Sequence, residues 1–274
     1  MGATPDGTVY EIAGPADAPP VVLIHGLGMT RATWDGHMPK LAERYRVVRY
    51  DLAGHGQTPP PNDVPDLTLF SEQCISLMGE LDIEAAVIIG FSLGGMINRR
   101  IAIDYPERVN SLVILNSPHE RGEEAQQLVE VRAAASADGG PAATIDASLE
   151  RWFTATFRAE QPDFVAMIRN VVLDNDIDVY ALNRWVLANG VIELVDPTPA
   201  ITAPTLIMTC EHDSGSTPAM SHAIAAEIAG AETVIVPDRR HLGLLEDPDA
   251  FIDPILTFLR ANVRQADPPY KTED

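Results

Sequence analysis

Ser92 lies within the glycine-rich hexapeptide GFSLGG at positions 90–95. An apolar run of strand type precedes it and a helical stretch follows, which is the context that a G-x-S-x-G turn requires around a nucleophilic serine. The chain must reverse sharply there, and a Cβ at Gly90 or Gly94 would collide with neighbouring backbone. Free N–H groups and the dipole at the start of a helix favour developing negative charge. Ser92 is therefore predicted to be a nucleophile; the alternative is an ordinary turn serine.

A second glycine pattern, HGLG at positions 25–28, directly follows the apolar run VVLI. Acyl transfer to a serine needs N–H donors for the oxyanion, and with this turn they come from the residue after the nucleophile and from the loop after an early strand. The backbone N–H groups of Leu93 and Leu27 are the predicted donors. Met29 beside this loop is a candidate substrate-binding residue, and the His25 side chain is predicted to pack in the loop rather than to carry a proton.

His241 is the predicted general base, because it lies on the loop after the last apolar strand, TVIVPD. The carboxyl ends of parallel strands share one edge of a sheet, so this loop can reach Ser92. The orienting acid is expected after the preceding strand, in the order Ser, Asp, His. Asp213 is preferred there over Glu211, which should still lie within the strand end, and Asn116 after an earlier strand offers no carboxylate. Five further histidines are predicted to be structural or solvated: His37, His55, His119, His212 and His222.

The elements that must position these residues follow from the hydrophobic pattern. Apolar, β-branched runs alternate with helical stretches, the pattern of an α/β fold with a mostly parallel sheet flanked by helices. Strands are predicted at Val21–Ile24, Arg46–Tyr50, Ala86–Ile89, Leu112–Leu115, Thr205–Thr209 and Thr233–Val236, with an edge strand near Thr8–Ile12. Helices are predicted from Phe70 to Leu81, from Ser92 to just before Pro106, and over Pro248–Leu259.

Residues 118–198 interrupt this alternation, because they show helical pattern and no convincing strand. Helices are predicted there at Ile145–Phe157, Asp163–Leu173 and Val179–Leu187. We expect residues 1–117 and 199–264 to form the core, with 118–198 inserted as a helical cap. Residues 265–274 are expected to be a frayed tail, because the end of the chain is polar and contains prolines.

Composition narrows the class of protein. Hydrophobic residues make up 46% of the chain and charged residues 22%, as in soluble globular proteins. No apolar run reaches the length of about 18 residues that a membrane span needs, and no secretory signal is expected at the N-terminus. Two cysteines, Cys74 and Cys210, exclude a disulfide framework and favour a cytoplasmic location.

Charge and motifs also limit the partners. The net charge of −21 argues against nucleic acid and anionic membranes, so a small molecule is the expected partner. There is no H-E-x-x-H motif, no cysteine pair at ligand spacing and no P-loop, and the glycines of HGLG do not make a dinucleotide fingerprint. No cofactor and no metal are therefore implied. The sequence leaves open whether the chain forms a homo-oligomer.

Residues 8–262 resemble the α/β-hydrolase superfamily. The matching segments are HGLG at 25–28, DLAGHGQT at 51–58, GFSLGG at 90–95, YPERV at 105–109, Asp213, and His241 followed by EDP at 246–248. The resemblance implies an α/β-hydrolase fold with an inserted helical cap. It also implies that Asp51 and His55 are scaffold residues.

Within the superfamily, the segments ASLERWFT at 147–154, FR at 157–158 and PDF at 162–164 resemble the 3-oxoadipate enol-lactonase branch. That resemblance implies that Arg151 faces the active-site cleft, where its guanidinium could pair with a substrate carboxylate. Trp152 would form an apolar wall, with Trp185 as a second face. The alternative is that Trp152 packs inside the cap and Arg151 points to water.

The predicted reaction is hydrolysis of a carboxylic ester or lactone, such as an enol-lactone, through an acyl-enzyme on Ser92. His241 would take the Ser92 proton and later activate water, while Asp213 would fix the imidazole tautomer. The alternatives are a C–C bond hydrolase or perhydrolase-type member of the same fold. A ligand-binding protein on this scaffold, which some hormone receptors resemble, is less favoured because the serine, acid and histidine are all present.

Overall fold

A computed structural model describes residues 1–263 of the chain. Eight strands form one sheet in the order β1-β2-β4-β3-β5-β6-β7-β8. The strands are β1 (Gly2–Ala3), β2 (Val9–Ala13), β3 (Pro20–Ile24), β4 (Arg46–Tyr50), β5 (Ala86–Phe91), β6 (Val109–Leu115), β7 (Thr205–Cys210) and β8 (Glu232–Val236). Strands β1 and β2 run antiparallel to their neighbours, and β4, β3, β5, β6, β7 and β8 pair in parallel.

The central strands are buried on both faces, which explains why they show as continuous apolar runs in the sequence. Every predicted strand is present, and most extend one to three residues beyond the predicted bounds. The edge strand expected near Thr8–Ile12 is β2, but the two-residue strand β1 covers its outer side. The predicted tail, 265–274, and residue 264 of the predicted core lie outside the described residues.

Helices outside the 118–198 segment are α1 (Met38–Ala42), α2 (Leu67–Glu80), α3 (Leu93–Asp104), α9 (Pro218–Ala226), α10 (Gly243–Glu246) and α11 (Pro248–Asn262). Helix α3 follows β5 directly and packs against β5 and β6, while α11 packs against β6, β7 and β8. Helix α2 begins after Asp66, whose carboxylate accepts a hydrogen bond from the Leu69 N–H. Within residues 1–263, no helix is both long and apolar enough to cross a membrane.

The segment between β6 and β7 holds α4 (Glu123–Gly139), α5 (Ile145–Trp152), α6 (Ala155–Glu160), α7 (Pro162–Leu173) and α8 (Ile177–Asn189), and no strand in residues 118–198, all of which are described. The helix predicted over Ile145–Phe157 is two helices, because Thr154 leaves the helical conformation and caps α6 by accepting from the Phe157 N–H. Helix α4 was not predicted. It buries only Ala133 and Ser136, so it has no apolar period.

Candidate active site

Ser92 occupies the sharp turn between β5 and α3. Its backbone angles are φ 54° and ψ −111°, a conformation that costs free energy for a residue with a side chain. A Cβ on Gly90 would lie 2.0 Å from the carbonyl oxygen of Gly94, and a Cβ on Gly94 would lie 2.3 Å from that of Ile24. The two collisions predicted from the sequence are therefore confirmed, and only glycine fits on either side of this serine.

Ser92, His241 and Asp213 lie in one hydrogen-bonded line. The Nε2 atom of His241 is 3.2 Å from Ser92 Oγ, and its Nδ1 atom is 2.7 Å from Asp213 Oδ2. An ionised carboxylate can only accept, so Nδ1 carries the proton and donates a hydrogen bond to Asp213. Nε2 is then the acceptor for the Ser92 hydroxyl. This arrangement can activate a serine hydroxyl as a nucleophile.

Asp213 is almost fully buried, and its two oxygens accept four hydrogen bonds. Oδ1 accepts from the N–H groups of Gly215 (2.8 Å) and Ser216 (2.9 Å), and Oδ2 accepts from Asn116 Nδ2 (2.9 Å) as well as from His241. Burial on its own raises the pKa of Asp213, but the charge of His241 and these hydrogen bonds lower it further than burial raises it. The pKa therefore lies below its ordinary value of 3.8, and the carboxylate is ionised at neutral pH.

Glu211, the rival acid, points elsewhere. Strand β7 ends at Cys210, so Glu211 lies just beyond the strand rather than within its end as predicted. Its side chain is exposed, and its carboxylate accepts from the Asp238 N–H at 3.1 Å. Asn116, which the sequence reasoning passed over because it is not an acid, donates to Asp213. The feature of the sequence that could have identified Asn116 as a site residue is its position directly after β6.

The loop after β3 lies directly against Ser92. A Cβ on Gly26 would lie 3.2 Å from the Ser92 Cβ, so the loop can approach this closely only with glycine there. Leu93 is the first residue of α3, and its N–H therefore has no acceptor within the helix. In the described part of the chain, the N–H groups of Leu27 and Leu93 have no hydrogen-bond acceptor. Both donors remain available to an oxyanion.

The other residues predicted to be scaffold form internal contacts. His25 Nδ1 is 2.8 Å from the Gly26 carbonyl oxygen, and Nε2 accepts from the Leu52 N–H at 3.0 Å. Burial lowers the pKa of His25, which keeps it neutral. Asp51 accepts from two backbone N–H groups and pairs with the Arg31 guanidinium. Among residues 1–263, no other histidine joins His241 in the cavity described next: His37, His55, His119, His212 and His222 all lie outside it.

A cavity of about 110 Å³ adjoins Ser92 and His241. Met29, Arg151 and Trp152 line it, and the Trp152 ring centroid is 6.4 Å from that of His241. The expectation for Trp185 is not met: its side chain is 53% exposed and outside the cavity lining. Successive residues of a helix point about 100° apart. The side chain of Arg184, the residue before Trp185 in α8, therefore lines the cavity instead. The lining residues missed from the sequence include Arg121, Arg132 and Arg184.

Helix α5 is tied to the loop that carries His241. The Leu242 N–H donates to the Trp152 carbonyl at 2.9 Å, and Arg240 donates to a carbonyl of the same helix. Just beyond α5, the Glu246 carboxylate accepts from the Thr154 N–H at 2.6 Å and from its hydroxyl at 2.9 Å. The wall of the cavity and the histidine are therefore positioned together.

A cluster with metal-binding residue types lies outside the cavity. Ligand atoms of Glu211, His212 and Asp238 come within 4.8 Å of one another, and all three side chains are exposed. None of the three lines the cavity beside Ser92. The chemistry of the hydrogen-bonded line needs no ligand from this cluster, and that no cofactor is used stays a prediction.

The fold and this arrangement place the chain in a known class. The sequence profile of the alpha/beta hydrolase family matches residues 21–253, and the chain belongs to that family. It is 26% identical over 242 residues to 3-oxoadipate enol-lactonase 2 of Acinetobacter baylyi, covering 88% of this chain and 89% of that protein. It is also 26% identical over 231 residues to (E)-2-((N-methylformamido)methylene)succinate hydrolase of the same species, covering 84% of this chain and 86% of that protein.

Among solved structures, the enol-lactonase from Burkholderia xenovorans matches with a TM-score of 0.86 and 31% identity, over 92% of this chain and 96% of that chain. The predicted α/β-hydrolase fold and the resemblance to the enol-lactonase branch are thus confirmed.

Proposed function

We propose that this protein hydrolyses a carboxylic ester or lactone through an acyl-enzyme on Ser92. The observation that carries the proposal is the line of contacts from Ser92 Oγ to His241 Nε2 (3.2 Å) and from His241 Nδ1 to Asp213 (2.7 Å). A serine hydroxyl is a weak nucleophile until an adjacent base takes its proton. The enol-lactonases among the similar proteins support an ester-type bond as the target.

Acylation begins when Ser92 Oγ attacks the carbonyl carbon and its proton moves to His241 Nε2. Asp213 stabilises the imidazolium that forms, without itself taking the proton. The N–H groups of Leu27 and Leu93 donate to the oxyanion, a contribution of about 3 kcal/mol for each donor. Collapse of this intermediate breaks the C–O bond, and the leaving oxygen takes the proton from His241.

Deacylation repeats these steps with water. His241 removes a proton from a water molecule, which attacks the acyl carbon and releases Ser92. In a lactone the leaving oxygen stays attached to the acyl chain, so the product is a single hydroxy acid or, from an enol-lactone, an oxo acid.

Residues 118–198 act as a cap over the reaction in this proposal. Ser148, Arg151 and Trp152 of α5 and Leu187 of α8 line the cavity beside Ser92. The hydrogen bonds from Thr154, at the start of α6, to Glu246 of α10 hold this wall in place beside the catalytic groups.

The test combines active-site labelling with turnover. A fluorophosphonate probe should modify Ser92, identified by peptide mass spectrometry, and should leave Ser92→Ala unlabelled. The same preparation should hydrolyse members of a panel of lactones and p-nitrophenyl esters. Labelling without turnover of any ester or lactone would favour a binding protein, and turnover confined to C–C hydrolase dienones would reassign the bond that is broken; either result overturns the proposal.

A further inference from the structure

Arginine side chains from three helices converge on the cavity that contains Ser92. Arg132 comes from α4, Arg151 from α5 and Arg184 from α8, and each is partly buried. Burial lowers the pKa of Arg151 most, and the neighbouring charges of Arg132 and Arg184 lower it further. The Arg151 guanidinium is therefore close enough to those of Arg132 and Arg184 to be repelled by both. We refer to Arg132, Arg151 and Arg184 as the arginine cluster.

No carboxylate pairs with the arginine cluster within residues 1–263. Arg151 donates to the Ser148 hydroxyl at 2.9 Å and to a carbonyl of its own helix, and Arg184 donates to the Tyr180 hydroxyl at 3.3 Å. The Arg132 guanidinium makes no hydrogen bond or ion pair in this part of the chain. Most of the donors of three cations thus remain free to bind a ligand.

The chain has 40 acidic and 19 basic residues, so carboxylates that could pair with an arginine are plentiful. Some arginines outside the cavity do form ion pairs, at 2.6–2.9 Å: Arg49 with Glu11, Arg100 with Asp104, Arg169 with Asp146. The acid that lines the cavity is Asp213, whose carboxylate is already taken by His241 and three N–H donors. Gathering partly buried cations without counter-charges costs free energy, and a bound anion would offset that cost.

A fourth arginine in the cavity lining, Arg121, differs from the cluster because its donors bind several acceptors of the protein itself. Arg121 donates to Gln126 at 3.1 Å and to the carbonyl oxygens of Leu187 and Ala188 at 3.2 and 3.0 Å. Burial lowers its pKa to about 10. Its donors therefore hold the end of α8, the helix that carries Arg184, and we treat it as a positioning residue.

We propose that the arginine cluster binds a substrate whose acyl group carries two carboxylates. A carboxylate offers about four acceptor sites, which two bidentate guanidinium groups can fill. A third guanidinium therefore favours a second carboxylate. Arg151 directly precedes Trp152, whose ring centroid is 6.4 Å from that of His241. We assign it the carboxylate closer to the ester, and Arg132 and Arg184 the remote one.

This inference rests on the proposed function, and binding can test it without turnover. Ser92→Ala is titrated by calorimetry with glutarate, monomethyl glutarate and dimethyl glutarate, which share one carbon chain and carry two, one and no carboxylates. We expect glutarate to bind at least about tenfold more tightly than monomethyl glutarate, as loss of one charge-assisted contact predicts. Equal affinities for glutarate and its monomethyl ester, or equal affinities for glutarate and inorganic phosphate, would overturn the assignment.

The turnover test uses the unmodified protein and three methyl esters: methyl butyrate, monomethyl glutarate and monomethyl tricarballylate, whose acyl groups carry none, one and two carboxylates. We expect kcat/KM to rise with each carboxylate. Arg132→Gln and Arg184→Gln should each lower kcat/KM for the tricarballylate ester at least about tenfold more than for methyl butyrate. Arg260→Gln removes the same charge from the exposed face of α11 and should change neither.

The two proposals can fail separately in this design. If all three esters are hydrolysed at similar kcat/KM, the two-carboxylate inference is wrong and ester hydrolysis stands. If glutarate binds to Ser92→Ala as expected but the unmodified protein hydrolyses no ester or lactone, the proposed function is wrong and the anion site stands. A loss in Arg260→Gln equal to that in Arg132→Gln would show only a general charge effect and would overturn the cluster.

Discussion

The polar side chains of the candidate site at the strand ends differ from those on the helices above them in whether they have partners within the protein. At the strand ends donors and acceptors match: Asp213 accepts four hydrogen bonds, and His241 bridges it to Ser92. In the helical segment, Arg132 and Arg184 carry charges that no carboxylate of the described chain neutralises. The core thus completes its geometry before any ligand arrives, as electrostatic stabilisation of a transition state requires. In the helical segment, by contrast, the guanidinium groups that face the cavity have no counter-charge from the described chain.

The substitution with the largest expected effect tests whether the residues at the strand ends catalyse the reaction. Ser92→Ala removes the proposed nucleophile, so the ester or lactone hydrolysis rate should fall by about 10⁶, the loss typical when a triad nucleophile is deleted. The fold should persist, because in the described residues the hydroxyl forms a hydrogen bond with His241 alone. Steady-state kinetics and far-UV circular dichroism measure the two quantities. Ser76→Ala, on an exposed face of α2, is the control, and activity retained in Ser92→Ala would contradict the mechanism.

Asp213→Asn should lower kcat by about 10⁴, because an amide favours the wrong imidazole tautomer. Glu211→Gln provides the matched change in an exposed neighbour on the same loop and should have little effect. The pKa of Asp213 is lowered in the fold, so its contribution to stability is present above the ordinary value of 3.8 and is lost as pH falls below it. The stability of Asp213→Asn should accordingly depend less on pH in that acidic range. A mild Asp213→Asn beside a severe Glu211→Gln would move the acid to Glu211.

The contrast between the two regions also explains what sequence reasoning could reach. Ser92 needs glycines at 90 and 94 because of backbone collisions, and His241 must follow the last strand, so local rules determine these positions. Which face of a cap helix meets the cavity depends on how α4 and α8 pack together, and a single sequence does not encode that visibly. Sequence reasoning therefore selected Trp185 where the structure presents Arg184.

A smaller effect is expected at the contact between Glu246 and Thr154, which connects the core to the helical segment. Glu246→Ala removes both hydrogen bonds to Thr154, at the start of α6, and loosens the wall formed by Trp152. We expect a loss of about 1–3 kcal/mol in unfolding free energy, and a rise in KM that exceeds the change in kcat. Glu246→Gln keeps one acceptor and adds donors, so it should restore most of the affinity. Equal kinetic effects of Ala and Gln would show that the contact does not position the cavity wall.

His37 is one of several buried residues of the core whose polar side-chain atoms have no hydrogen-bond partner in the described chain. It is 1% exposed, and neither ring nitrogen has a hydrogen-bond partner among residues 1–263. Burial lowers its pKa to about 4, and the charge of Asp249 only partly opposes this. The unfolded chain takes up this proton below its ordinary pKa of 6.5, whereas the folded protein resists protonation down to about 4. With respect to His37, the free energy of unfolding is therefore highest above pH 6.5 and falls as pH decreases towards 4.

His37→Leu should remove this part of the pH dependence. At pH 5 the variant should gain about 2 kcal/mol relative to the unmodified protein, compared with their difference at pH 7.5, since each pH unit between the two pKa values contributes about 1.4 kcal/mol. Urea unfolding at the two pH values measures this change. His55, whose pKa burial lowers to about 3, leaves a residual slope of the same sign in both proteins. The exposed His222→Leu should keep the full slope, and an unchanged slope in His37→Leu would mean that the buried ring finds a partner or water when it is protonated.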